Sequence, residues 1–440
     1  MRGTATGVSF VFCIEEGLYG KGRRLAGTTL LINALLLACT GDGPRERASV
    51  VVEEGRISRV RSGESPPTAG HEAVIDCAGM TLMPGLTDAH VHIGAVDVNI
   101  LDQHREHPSN LVALMMARIL EETIQEGFTT VRDAGGTDWS FKAAVERGIV
   151  QGPRLLVSDK PLSQTGGHGD WRRATETQPP EIFCPTAGMR SVVCDGSDAV
   201  RRAAREQLRL GADQIKVMAS GGAMSPADEL AATQYTLAEL RAAVEEAEAA
   251  GTYVMAHAYN DHSVRNCLRS GVRSIEHGNL IDEETAALIA SSGAYLVPTL
   301  VTYEALSEEG EAFGVPENVI RKIDEARALG IRALRYAYEA GAKIASGSDL
   351  LGPLQNRKAR ELQIKTEVMS PMESLMSATK TNAELFGWQD EIGTVEEGKL
   401  ADLLVVEGNP LEDIAVLQDK TNLKLIMKEG QTIKNELEAL

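Results

Sequence analysis

Two histidines, His90 and His92, stand two apart at the end of the apolar run "MTLMPGLTDAHVHIG", beside Asp88 and just after Pro84 and Gly85. In a strand, residues i and i+2 point to the same face, so the two imidazoles would project side by side from the end of a buried strand. A lone H-x-H is a weak motif, and its plain reading is one satisfied polar histidine and one loop histidine. Other runs close in the same way. Lys216 sits inside "QIKVMA", His257 closes "TYVMAH", His277 closes "VRSIEH" and Asp349 closes "KIASGSD". Histidine and carboxylate ligands suit divalent metals such as Zn²⁺. Four histidines, a lysine and an aspartate gathered at one place suit two ions rather than one. A lysine in an apolar strand ordinarily snorkels to solvent. Beside two cations, however, its ammonium meets both desolvation and like-charge repulsion and sheds its proton readily. The neutral amine of Lys216 can then take up CO₂ as a carbamate, a bidentate anion that bridges two metals.

Convergence of these residues requires a frame. From about residue 81, short apolar runs alternate with amphipathic helical stretches such as "SNLVALMMARILEETIQEG" and "TLAELRAAVEEAEAAG". Several helices close on glycine before the next run, as C-caps do. Strands alternating with helices imply βαβ units and a parallel sheet. The runs "TLMPGLTDAHVH", "FTTVRDAGG", "PRLLVSD", "ADQIKVMASGG", "TYVMAHAY", "VRSIEHGN", "AYLVPTL" and "KIASGSDL" supply eight strands. The expected fold class is α/β, a (β/α)₈ TIM-like barrel, whose chemistry gathers at the C-terminal strand ends. An open doubly wound sheet is weakened by the lack of a G-x-G-x-x-G after the first strand.

The flanks read differently. Residues 26–82 and 390–440 are rich in hairpin patterns, "ASVVVEEGRISRV" and "LKLIMKEGQTI" among them. They are expected to form one small discontinuous β-sandwich domain built from both termini, with the barrel over residues 83–389 and a leader over residues 1–25. The stretch "KGRRLAGTTLLINALLLAC" has the outline of an exported lipoprotein signal ending at Cys39. The hairpin pattern that continues without a break favours a first strand instead, and the apolar run is too short to span a membrane.

Composition narrows the partners. The net charge of -19, from 44 basic and 63 acidic residues, repels phosphate backbones and argues against nucleic acid. The six cysteines, Cys13, Cys39, Cys77, Cys184, Cys194 and Cys267, include no C-x-x-C pair. A zinc ribbon and a secreted disulfide framework are therefore disfavoured, and a cytoplasmic location is expected.

Nearly the whole chain resembles the amidohydrolase superfamily, "PGLTDAHVHIG" matching its first-strand signature and "GTVEEGKLADLLVV" its C-terminal segment. The resemblance implies His90 and His92 on a more buried metal and His257 and His277 on a more exposed one. It implies a carboxylated Lys216 bridging the two, Asp349 touching the buried metal, and a homo-oligomer. The implied mechanism is attack of a metal-bridging hydroxide on an amide carbonyl, with Asp349 taking the proton and passing it to the leaving nitrogen.

Within the superfamily, "GFTTVRDAGG", "SQTGGHGD", "AHAYN", "SIEHGNLID" and "VPTLVTYEAL" resemble the branch of Xaa-Pro dipeptidases and ochratoxin hydrolases. That likeness implies a small-molecule substrate, a dipeptide or an N-acyl or N-aroyl amino acid, that loses its C-terminal amino acid. It also implies His168, in "GGHGD", as a catalytic residue at the substrate carbonyl, and makes Tyr235, in "ATQYTLAEL", a candidate substrate hydrogen-bond donor or else a packing residue. Arg132, Arg273 and Arg357 are the candidate partners of a substrate carboxylate. The rival readings are a cyclic-amide hydrolase resembling imidazolonepropionase and a scaffold without catalysis. An intact ligand set argues against the scaffold.

Overall fold

The computed structural model describes residues 27–63, 68, 70–100, 102–180, 186–225 and 228–437. The leader expected over residues 1–25 lies outside them. Five strands come first: β1 (Thr29–Leu36), β2 (Arg45–Glu53), β3 (Arg56–Ser62), β4 (Ala73–Asp76) and β5 (Thr81–Pro84). The apolar run before Cys39 is thus β1, and Cys39 is fully buried. Ten strands follow within the next 260 residues or so, the first being β6 (Leu86–Val91), β7 (Phe128–Asp133), β8 (Arg154–Val157), β9 (Leu162–Ser163) and β10 (Val192–Val193). The others are β11 (Ile215–Met218), β12 (Val254–Asn260), β13 (Ser274–Leu280), β14 (Tyr295–Val297) and β15 (Lys343–Ile344). Near the C-terminus stand β16 (Leu403–Val406), β17 (Leu423–Lys428) and β18 (Gln431–Asn435).

Both flanks meet in one mixed sheet of order β18-β17-β16-β5-β1-β2-β3, with β4 on β1. The first half of β1 pairs with β4 and its end with β5. Between them Asn33 takes φ +56° and the register against β2 shifts, which is how a bulge bends a strand. The sheet curls, so Val50 and Ile57 at one end share a hydrophobic cluster with Val405 and Leu425 at the other.

The barrel-like sheet is parallel throughout, in two runs, β6-β7-β8 and β10-β9-β11-β12-β13-β14-β15. Backbone hydrogen bonds join them: Asp213 N–H donates to Val157 O at 2.7 Å at one seam, and at the other Ala89 N–H donates to Ser346 O at 2.8 Å and Asp349 N–H to His90 O at 2.8 Å. All eight expected strands are present, together with the two-residue β9 and β10 in the connection after β8. One expectation changes. The run "TLMPGLTDAHVH" is not one strand but two, β5 in the flanking sheet and β6 in the barrel, parted at Gly85. A Cβ at Gly85 would fall 2.3 Å from Thr129 Oγ1, so only glycine lets the chain cross that closely to β7. The glycine stops read from the sequence hold at Gly271 and Gly293, both left-handed C-caps.

Candidate active site

Strand register explains which side chains face the barrel interior. Met218, His257 and Glu276 are direct neighbours across β11, β12 and β13, so they share one face. Lys216 and Tyr259 lie two residues from their strand-mates Met218 and His257 and face the same way. His277 follows Glu276 and would point outward in a regular strand. It takes φ +75°, a costly conformation for a non-glycine residue, and this turns its ring inward as well. Asp349, at φ +54°, is turned in the same manner after β15.

His90, His92, Lys216, His257, His277 and Asp349 line one cavity. Asp349 Oδ1 lies 3.2 Å from His92 Nε2 and 3.4 Å from His90 Nε2, and Oδ2 lies 3.8 Å from His277 Nδ1. The rings of His257 and His277 are 4.6 Å apart. His168 stacks on His257 at 4.1 Å, so the loop after β9 brings it to the same mouth.

Each of the four barrel histidines has one ring nitrogen hydrogen-bonded, for His90 and His92 the one opposite Asp349 and for His277 the one that also faces it. His90 Nδ1 stands 2.7 Å from Glu276 Oε2, His92 Nδ1 2.9 Å from Gly135 O, and His257 Nε2 3.1 Å from Gly221 O. His277 Nδ1 pairs with Thr299 Oγ1 at 2.8 Å. A carboxylate and two carbonyls accept only, so the nitrogens facing them carry the protons and the opposite nitrogens keep their lone pairs. This is how metal-ligating histidines are oriented.

Electrostatics agree with that role. Burial holds His90 and His257 well below the ordinary histidine value and His277 at about 3. Burial works to raise Asp349, but His90, His92 and His277 outweigh it and keep the carboxyl well below its usual range. At His92 burial also works downward, but the Asp349 carboxylate outweighs it and raises the ring; the neutral imidazoles of His90, His257 and His277 around an ionised carboxylate are a metal-donor set. One imidazole nitrogen each of His90 and His277 and a carboxylate oxygen of Asp349 lie within 4.8 Å of one another. Lys216 is 1% exposed, and burial brings it down to about 8, against the pull of Glu276 and Asp349.

Residues 81–433 match the amidohydrolase family. The chain is 32% identical over 430 residues to the ochratoxinase of Aspergillus niger, covering 93% of this chain and 87% of that protein. A solved amidohydrolase structure superposes with a TM-score of 0.89 at 46% identity, covering 93% of this chain and 100% of the other. A prolidase solved with N-methylphosphonate-L-proline superposes equally well, TM-score 0.89 at 43% identity, with the same coverage.

The chain belongs to the amidohydrolase family.

It is accordingly a hydrolase acting on C–N bonds, with a candidate metal site at His90, His277 and Asp349. Not every residue singled out in the sequence stands at this amidohydrolase's cavity. Tyr235 does not: it is buried among Leu162, Val200 and Leu240, and its hydroxyl donates to Cys194 O at 3.1 Å. None of the three arginines lines the cavity either. Arg132 is fully buried and donates to Glu276 Oε1 at 3.0 Å. Arg273 donates to Glu384 O, and Arg357 pairs with Glu308 and Glu309 near the surface.

Sequence reasoning passed over Tyr259, Tyr303 and Glu276. Tyr259 stacks on His277, and its hydroxyl lies 2.7 Å from that of Tyr303. The spacing of His257 and Tyr259 was the available signal, since i and i+2 share a strand face. Among the described residues, no helix is long and apolar enough to cross a membrane.

Proposed function

We propose that this amidohydrolase releases the C-terminal amino acid from N-acyl amino acids or dipeptides whose acyl part is apolar. The observation that carries the reading is the cavity's make-up. Its polar floor of histidines, Lys216 and Asp349 is walled by Ile100, Trp171, Met189, Met224, Leu306 and Leu351. Such a wall suits an apolar acyl or aroyl group, and a floor that would hold divalent cations suits the amide and its neighbouring carboxylate. The likeness to an ochratoxinase and to a prolidase supports the same substrate class.

His90 and His92 would hold one divalent ion and His257 and His277 a second, with Lys216 as its carbamate between them and Asp349 on the first. Zinc is the expected metal. Bound there, the ions supply a positive centre that acidifies the attacking water and polarises the amide carbonyl. Asp349, ionised and in reach of His90 and His92, accepts the water's proton and delivers it to the leaving nitrogen. His168 donates to the oxygen that becomes negative as the carbonyl is attacked. Tyr259 and Tyr303 offer the wall's hydroxyl hydrogen bonds to the substrate.

The test joins metal content per chain with hydrolysis of a panel of Xaa-Pro, Xaa-Arg, Xaa-Phe, N-acyl and N-aroyl amino acids. The expected result is about two metals, as in two-metal hydrolases, with release of free amino acid fastest from apolar acyl groups. Two metals with a silent panel would move the substrate to cyclic amides. No metal after reconstitution with zinc and bicarbonate would overturn the role given to Lys216.

A further inference from the structure

The helix Glu317–Glu339 packs Val319, Ile323 and Ala326 into the core, and Lys322 interrupts that buried face. Its side chain is 2% exposed. The ammonium donates to three main-chain carbonyls, Gly222 O at 2.9 Å, Ser225 O at 2.7 Å and Asp228 O at 3.0 Å. Burying an ammonium is unfavourable unless its donors are satisfied, and an apolar side chain would fill this place without that cost. What distinguishes lysine here is the backbone it holds.

That backbone touches the site at several points. Gly221 O is the acceptor behind His257. Gly222 lies so close to His168 that a Cβ there would fall 2.2 Å from Cε1 of the ring. Ala223 and Met224 line the cavity. The same segment reaches His168 by a second route: Asp228 Oδ2 accepts from Gln234 Nε2 at 2.6 Å, and Gln234 Oε1 accepts from His168 N–H at 2.9 Å.

We propose that Lys322 is a positioning residue: by tying Gly222, Ser225 and Asp228 to the helix, it seats His168 against His257 and fixes Ala223 and Met224 as a wall of the substrate cavity. The part concerning substrate rests on the amide-hydrolase reading above. Lys322→Met keeps the length and removes the charge. In the full chain it should speed amide hydrogen exchange over residues 219–225 by about tenfold or more, the scale of losing hydrogen bonds to a charged group. It should also shift the imidazole NMR signals of His168 while leaving those of His90 and His92 in place. KM for an N-acyl-phenylalanine should rise roughly tenfold. Arg332→Ala, an exposed change on the same helix, should move none of these. If Lys322→Met does not fold, Lys322→Gln serves in the same measurements.

Unchanged exchange with unchanged His168 signals overturns the inference, and so does an unchanged KM in a protein that hydrolyses the substrate. If the wild-type protein hydrolyses nothing in the panel, the amide reading falls, and the exchange and imidazole signals alone decide the role of Lys322.

Discussion

Glu276 grips His90 from behind: Oε2 lies 2.7 Å from Nδ1, while Oε1 accepts from Arg132 Nη2 at 3.0 Å and from the Ser274 hydroxyl at 2.5 Å. Glu276 and Arg132 have no solvent exposure and His90 almost none. Arg132 in turn donates to Ala89 O at 2.7 Å, on the strand that carries His90. The ring is therefore fixed in tautomer and angle by a closed set of bonds across β6, β7 and β13. Of the four outer partners of the histidines, Glu276 is the one carboxylate, the kind of partner that most strengthens an imidazole as a ligand.

Glu276→Gln should therefore weaken metal retention about 10–100-fold, the scale seen for outer partners of ligating histidines. Competition against a chelator measures it. The change also leaves the Arg132 guanidinium buried without its anion, a loss of about 3–5 kcal/mol in stability. Retention equal to wild type would show that Glu276 is only packing.

Asp349 asks for a different experiment. Its left-handed backbone is one that asparagine adopts readily, so Asp349→Asn should fold and keep most of its metal. The amide lacks the basicity to take the water's proton, and turnover should drop by about 10²–10⁴. Wild-type turnover in this variant would remove Asp349 from the role of base.

Much of this site was legible because metal donors at strand ends are carried by period-two spacing. His90 with His92 could be read from that spacing, and the barrel followed from the alternation of apolar runs with glycine-stopped helices. Two kinds of feature could not be read this way. Glu276 and His277 are adjacent, and alternation admits only one of them to the interior; the φ of +75° at His277 is a tertiary constraint that no local pattern announces. Tyr235 was considered for its place after the fourth strand, yet loop direction decides where a side chain points, and here it points into the packing around Cys194. Lys322 reads as an ordinary surface residue of a charged helix until the loop across from it is known.

His168 carries a pH signature. Burial lowers it to about 4, with Lys216 and Lys322 adding to the shift and Asp228 opposing it. A histidine lowered on folding takes up protons first in the unfolded chain, so its stabilising contribution is complete above about pH 6.5 and is lost as pH falls toward 4. The ring faces the open cavity, which trims the effect to about 2 kcal/mol. Denaturant unfolding of wild type and His168→Asn at pH 7 and pH 4.5 should show the wild type losing that much more. Parallel losses in both proteins would mean that His168 does not titrate differently in the fold.

Two tyrosines separate the cavity from the packing around it. Tyr259 stacks on His277 and shares a hydrogen bond with Tyr303 at the cavity wall, and burial pushes both phenols upward, so they stay protonated donors. Tyr235 spends its hydroxyl on Cys194 O, outside the cavity. Tyr259→Phe keeps the ring and its stacking but gives up the hydrogen bond to Tyr303, so stability should fall by about 1 kcal/mol, while kcat/KM should fall about tenfold or more, the equivalent of one hydrogen bond of about 1.4 kcal/mol. Tyr235→Phe should cost about as much, about 1 kcal/mol in unfolding free energy, but leave kcat/KM within about twofold. Kinetics and denaturant titration of the two variants side by side are the check. An inverted result, with Tyr235→Phe inactive and Tyr259→Phe unimpaired, would place the substrate at Tyr235 and overturn the cavity assignment.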